Sequence, residues 1–155
     1  MKTLKLIPIL AMLFMLNVAS MCSSDDDNSN STFQDPTPVI TTAAQGTWRI
    51  TFFEDSGNNE TSHFTGYNFT FAASGALSAT NGANTYNGSW SVTNDDSGDD
   101  SPSNDLDFNI AFSSPADFTD LTEDWNIISY TATKIQLVHV SGGNGGTDYV
   151  TFEKN

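Results

Sequence analysis

Cysteine occurs once in the 155 residues, at Cys22, so no internal disulfide can form and the fold must stand on packing and hydrogen bonds. Basic side chains are nearly as scarce: five Lys and Arg face nineteen Asp and Glu, a formal net charge of −14. Phosphate backbones and anionic head groups are bound by clustered Lys and Arg, so nucleic acid is excluded as a partner. His63 and His139 are the only histidines, too few for a three-His zinc centre. No Gly-x-Ser-x-Gly elbow marks any of the many serines as a nucleophile. The Gly142–Gly146 run lacks the Lys and following helix of a phosphate loop and reads as a hairpin turn. The acidic stretch 94–102 has carboxylates for calcium, but counting from Asp95 puts Asp100 where the loop needs Gly and Leu106 where it needs an acid. It reads as a solvated loop. Together these gaps point to a protein that is not an enzyme, with no catalytic residue, no cofactor and no metal.

The first twenty-two residues carry an address. Lys2 and Lys5 precede an almost wholly apolar stretch, Leu6 to Leu16, and then Asn17 to Met21 lead into Cys22. A basic start, an apolar stretch of roughly 7–15 residues and a small-residue region describe a secretory signal peptide over 1–21. The stretch is short of the roughly 20 residues a membrane span needs. A Cys directly after such a leader resembles the lipidation site of bacterial lipoproteins; Ser20 conforms to their motif, while Ala19 and Met21 depart from it. Ser23, Ser24, Asp25, Asp26 and Asp27 resemble the Ser-plus-acidic surface-export signal of Bacteroidetes lipoproteins. The resemblance implies lipidation at Cys22, export signalled by Ser24 to Asp27, and a place on the outer membrane, lipid-anchored and facing the cell exterior. Removal of the leader would leave Arg49, Lys134 and Lys154 against all nineteen acids, a formal −16.

Residues 22–44 are rich in Ser, Asn, Asp, Thr and Pro and show no apolar period. Such a segment buries too little to offset its ordering entropy, so a disordered acidic tether is expected here. At about 5–6 Å × √n it would hold a domain roughly 25 Å from the membrane.

From residue 45 the chain reads as strands and turns, and the aromatic content, 12% of the chain, supplies a core. Trp48, Ile50 and Phe52 alternate with Arg49 and Thr51 over a first strand, Gly46–Phe53. His63–Phe71 reads as a second strand with Tyr67, Phe69 and Phe71 in phase, Phe64 out of phase and Gly66 at a bulge. Ser74-Gly75 and Asn81-Gly82 bound a strand over Ala76–Thr80. Tyr86, Gly88, Trp90 and Val92 share one face of the next, and Leu106, Phe108, Ile110 and Phe112 alternate with polar residues on another. Trp125–Tyr130, Ile135–Val140 and Asp148–Phe152 complete eight strands. One short helix is expected after Ser114-Pro115, about two turns long, with Asp117 in a capping box and Phe118, Leu121 and Trp125 on one stripe.

Short connections predict an up-and-down antiparallel meander, and eight strands hide their edges by closing into a barrel. A two-sheet sandwich is the alternative. In a barrel, Tyr67, Phe69, Phe71, Tyr86, Phe108, Phe112 and Trp125 line the interior, either as plain core or as walls for a small apolar ligand. His139, in an apolar strand, reads as a hydrogen-bonded structural residue.

Gly46-Thr-Trp48 resembles the Gly-x-Trp opening of lipocalins, whose Trp closes one barrel end. The layout from Gln45 to Asn155, with Gly88-Ser-Trp90 mid-chain and a Trp-bearing strand after a short helix, is similar to Bacteroidetes lipoproteins with a lipocalin-like domain. The resemblance implies an all-β, eight-stranded lipocalin-like barrel over 45–155 with Gly46 and Trp48 as its closing motif. It also implies a non-enzymatic, surface-anchored monomer that touches the membrane through its lipid and binds a small hydrophobic molecule. The other function in play is an adhesion or protein/glycan interaction module. At about 110 residues the domain is short for a lipocalin, which implies a small cavity.

Overall fold

The computed structural model of the protein describes residues 34–94, 106–143 and 145–155. The expected signal peptide, Cys22, the Ser24–Asp27 signal and residues 95–102 of the acidic stretch lie outside these. Twelve elements follow in order: α1 (Thr37–Ala43), β1 (Trp48–Asp55), β2 (Asn58–Asn59), a 3-10 turn (Thr61–Phe64), β3 (Asn68–Phe71), β4 (Ala76–Thr80), β5 (Thr85–Asn94), β6 (Leu106–Phe112), α2 (Ala116–Thr119), β7 (Glu123–Tyr130), β8 (Lys134–Val140) and β9 (Thr147–Lys154).

Consecutive strands pair antiparallel from β3 round to β9, and β1 joins β3 to β9, so eight strands close into an up-and-down barrel. The seam is long on one side of β1 and short on the other. Six residue pairs tie β1 to β9, from Trp48 opposite Lys154 to Glu54 opposite Tyr149. A single pair, Trp48 opposite Phe69, ties β1 to β3. The two-residue β2 folds back on the end of β1 and adds a ninth strand outside the barrel. Closure removes the sandwich alternative, which needs two separate sheets.

The alternating residues behave as period-two burial requires. Leu106, Phe108, Ile110 and Phe112 of β6 are buried, as are Trp90 and Val92 of β5, while their polar neighbours face out or lie half-buried. Gly88 sits where the inner face is most crowded: a Cβ there would lie 2.3 Å from the Ala111 carbonyl oxygen and 2.9 Å from the Phe112 ring.

Four expectations change. The first strand does not keep one phase: the ladder to β9 shifts between Ile50 and Phe52, so Phe53 turns inward and Phe52 is left half-buried. His63 and Phe64 lie in the 3-10 turn rather than a strand, and Gly66, at φ +83°, belongs to the turn into β3. That turn lets the out-of-phase Phe64 reach the core. The helix after Ser114-Pro115 is one turn, not two; Pro115 is its N-cap and no side chain caps it. Phe118, Leu121 and Trp125 are nevertheless buried as the stripe requires.

The fourth is α1, inside the segment expected to be tether. The Asp35 carboxylate accepts the Thr37 N–H at 2.9 Å, Pro38 occupies the first turn, and Val39 and Ala43, four apart, share one buried face. Seven residues do not hold a helix alone. Tertiary contact does: Val39 and Ala43 join the core cluster, and the Trp48 indole N–H donates to the Ala43 carbonyl at 2.9 Å. Val39, Ile40 and Ala43 in a polar stretch made too weak a period to reveal this.

Candidate functional site

The barrel interior is the first place to look, and every ring expected there is brought there. Phe69, Phe71, Phe108, Phe112 and Trp125 are buried, with Tyr67 and Tyr86 packed half-buried at the α2 end. The rings meet each other. Phe71 of β3 lies 5.4 Å from Phe108 of β6 and 5.4 Å from Phe152 of β9, so rings from separated walls touch across the middle. Phe53 of β1 reaches Trp125 of β7 at 6.5 Å. Phe118 of α2 enters from the end and packs on Phe64, Tyr67, Phe69, Tyr86 and Phe112 at 4.8–6.0 Å. These separations suit edge-to-face and offset pairs in a packed core. Side chains fill the space a lipocalin-type ligand would take.

The sequence did not single out Phe53, Phe64 and Phe152 as interior rings. A bulge, a 3-10 turn and the last strand deliver them, and only the out-of-phase Phe64 carried a signal.

The three tryptophans close the structure in a common way. Each buries its rings and donates its indole N–H to a carbonyl where the chain turns: Trp48 to Ala43 at the end of α1, Trp90 to Ala72 in the β3–β4 turn, Trp125 to Leu121 after α2. Trp48, of the Gly46-x-Trp48 pair, also carries the Lys154 ammonium 5.3 Å above its ring. Gly46 takes φ +81° to make that approach, and a Cβ there would press on Lys154 at 3.1 Å.

A groove of about 350 Å³ opens between α1 and β7. Gln34, Val39, Leu106 and the run Ile127–Tyr130 line it. Among the described residues the β6–β7 pairing ends at Asp107 opposite Asn126, and β7 continues beside β8 through Tyr130. A bulge between Ile127 and Ser129 turns Ile128 outward, where it is 54% exposed.

Among the described residues, charge is divided between the ends. Arg49, Lys134 and Lys154 gather with Glu153 and Asn155 near the C-terminus: Lys134 Nζ is 3.2 Å and Arg49 Nη2 3.7 Å from Glu153. The α2 end holds Asp55, Glu60, His63, Asp117, Asp120, Glu123, Asp124, His139 and Asp148. Burial, then the charges of Asp55 and Asp117, push the Asp120 carboxyl above its ordinary range. Burial likewise raises Glu123, against the pull of His139. A hydrogen bond with Tyr67, then burial, raise the Tyr86 phenol. His139 is hydrogen-bonded as expected: its Nδ1 lies 3.2 Å from the Asp124 carbonyl, and the ring sits edge-on to Trp125. His63 faces Glu60 and Asp117.

No family model matches the chain, and no curated protein matches it. Among solved structures it is similar to a DUF4847 family protein from Bacteroides vulgatus ATCC 8482, at 18% identity and a TM-score of 0.46, over 76% of this chain and 97% of that one.

Proposed function

We propose that the chain is a non-enzymatic, lipocalin-like binding module that a lipid on Cys22 holds at the outer surface of the outer membrane. It takes a small apolar molecule in the groove beside α1 rather than inside the barrel. The contact of aromatic rings across the interior carries this reading, and among the described residues the groove offers a concave surface of ligand size; small-molecule sites run from roughly 300 Å³ upward. Val39, Leu106, Ile127 and Ile128 give its apolar wall.

Native mass spectrometry of the chain taken from its host membrane tests the site. A co-purifying small molecule should be lost in Ile128→Asp, whose exposed position tolerates the charge. Retention in that variant, or a bare wild-type chain, rejects the groove. The anchor has its own test: Cys22→Ala should move the protein from the membrane to the soluble fraction. Replacing Asp25, Asp26 and Asp27 with Ala should leave it on the membrane but out of reach of external protease.

A further inference from the structure

β8, β9 and β1 lie side by side, and their register decides which side chains share the outside of the barrel. Leu137, Val150 and Phe53 form one row across the three strands and are buried, so the rows on either side of it face out. One outward row is Val138, Tyr149 and Glu54, and the other is Gln136, Thr151 and Phe52. The centre of this wall is apolar: Phe52 and Val138 are half-buried, Tyr149 is 37% exposed, and Val140, two residues on in β8, is 62% exposed. The outward pairs of β5 and β6 are Ser89–Ala111, Ser91–Asn109 and Thr93–Asp107, the small or polar residues that suit a solvated face. Four large apolar side chains are exposed among the described residues: Ile128 and Tyr130 line the groove beside α1, while Val140 and Tyr149 stand on this wall instead.

Charge is ordered along the same wall. Glu54 stands toward the α2 end, and the pairing of Asn126 with Val138 brings Asp124, two residues earlier in β7, beside Val140. At the other end Lys134, Glu153 and Arg49 make a row of two cations about one acid. A second copy laid face to face on this wall has two symmetric settings, because the two-fold axis lies in the contact plane either along the strands or across them. Along them, each acidic end covers its own counterpart, in a chain of net charge −14. Across them, each acidic end meets the basic row of the other copy while the apolar centre meets itself. Only the second setting is complementary in charge.

We propose that the outer wall of β8, β9 and β1 pairs with the same wall of a second copy, strands antiparallel, with Arg49 toward the partner's Glu54 and Lys134 toward the partner's Asp124. Tyr149, Val138 and Phe52 supply the dry centre that such a contact needs. Three strands about 4.8 Å apart and seven residues at about 3.4 Å each give a footprint of about 15 by 20 Å, less than the roughly 800 Å² per copy of a standard interface. The pairing is therefore weak and reversible. It departs from the monomer that the resemblance to lipocalins implies, and it rests neither on a ligand in the groove nor on the lipid.

A zero-length carbodiimide, which joins a lysine to a carboxylate as an amide with loss of water, reads the proposal on the whole chain. Ordinary and ¹⁵N-labelled protein are mixed equally at up to about 1 mM, where weak pairs form, and linked peptides are identified by mass. Lys134 and Asp124 stand about 20 Å apart along the strands of one copy, so their link must join two copies and about half of it should carry mixed isotopes. Lys134 and Glu153, 3.2 Å apart, link within one copy and give the control. Arg49→Glu should lower the Lys134–Asp124 link at least about fivefold, and adding Glu54→Arg in the same chain should return it to within about twofold of the wild type. Tyr149→Ser should lower it likewise with every charge in place. The pairing is overturned if the control link forms without the mixed one, or if Lys134 links evenly to carboxylates elsewhere, as random collision or another occupant of the wall would give. It is overturned equally if Arg49→Glu changes nothing or Glu54→Arg brings no rescue.

Discussion

Thr61 and Thr122 show how single side chains complete a barrel where its ladder stops. The Thr61 hydroxyl accepts the Phe53 N–H at 2.8 Å and reaches the Phe53 carbonyl at 3.3 Å. Thr122 repeats the pattern on Phe112, at 2.9 Å and 3.0 Å. The Thr122 hydroxyl replaces both hydrogen bonds of an absent strand partner where β6 ends; the Thr61 hydroxyl takes the Phe53 N–H, while the Phe53 carbonyl also accepts the Glu60 N–H at 3.0 Å. Nothing in the spacing of either threonine announces this, because the partner is defined only once the stagger of the strands exists. Thr61→Val and Thr122→Val keep the shape and remove both bonds, so each should lower stability by about 1–3 kcal/mol in denaturant unfolding. Gly88 makes the opposite point: its place on an aromatic-rich face is legible, but the carbonyl that excludes a Cβ is not. Gly88→Ala should force β5 away from β6 and cost about 1–3 kcal/mol, read as a lower melting temperature.

At the level of elements, legibility followed the length of the periodic run. β5 and β6 lie where alternation placed them, because four inward residues in phase leave one face to bury, and β4 lies where its bounding turns placed it. β1 and the segment before β3 departed from expectation because a bulge and a 3-10 turn each change phase within one element, which a fixed period cannot represent. The candidate lining residues were legible for the same reason as the strands. What they do was not: whether rings leave space between them depends on which walls they reach across. The groove beside α1 was invisible, because α1 lies in a stretch with no apolar period and the spacing does not show which residues of β7 come to face it. α1 should therefore matter more than its composition suggests. A chain beginning at Gln45 loses the burial of Val39 and Ala43 and leaves the Trp48 N–H without its carbonyl. Against one beginning at Gln34, it should be less stable by about 2–4 kcal/mol in urea unfolding.

Over the whole molecule, charge is the property that folding arranges rather than the property that drives it. Among the described residues three cations share one end with the C-terminus, while carboxylates from three connections crowd the other, and the consequence is a definite pH dependence. Asp120 carries the cleanest sign: its carboxyl is raised above the ordinary value of 3.8 by burial and by the neighbouring Asp55 and Asp117. The folded state then holds this proton more tightly than the unfolded chain does. Stability must fall as pH rises from the ordinary aspartate range through the raised value, and return as pH is lowered again. At neutral pH the ionised Asp120 works against the fold, so Asp120→Asn should be more stable than the wild type there. The gain should be a few tenths of a kcal/mol, since the side chain is largely exposed and solvent screens it. Below about pH 3.9 the wild-type carboxyl is protonated in both states, and the two proteins should unfold together. Added salt should narrow the same gap at pH 7, because raising the ionic strength from about 0.1 M to about 1 M shortens the Debye length from about 10 Å to about 3 Å. Thermal unfolding of both proteins across pH 3–7 at low and high salt decides it: an advantage for Asp120→Asn that persists at pH 3 would place its origin in packing, not in charge.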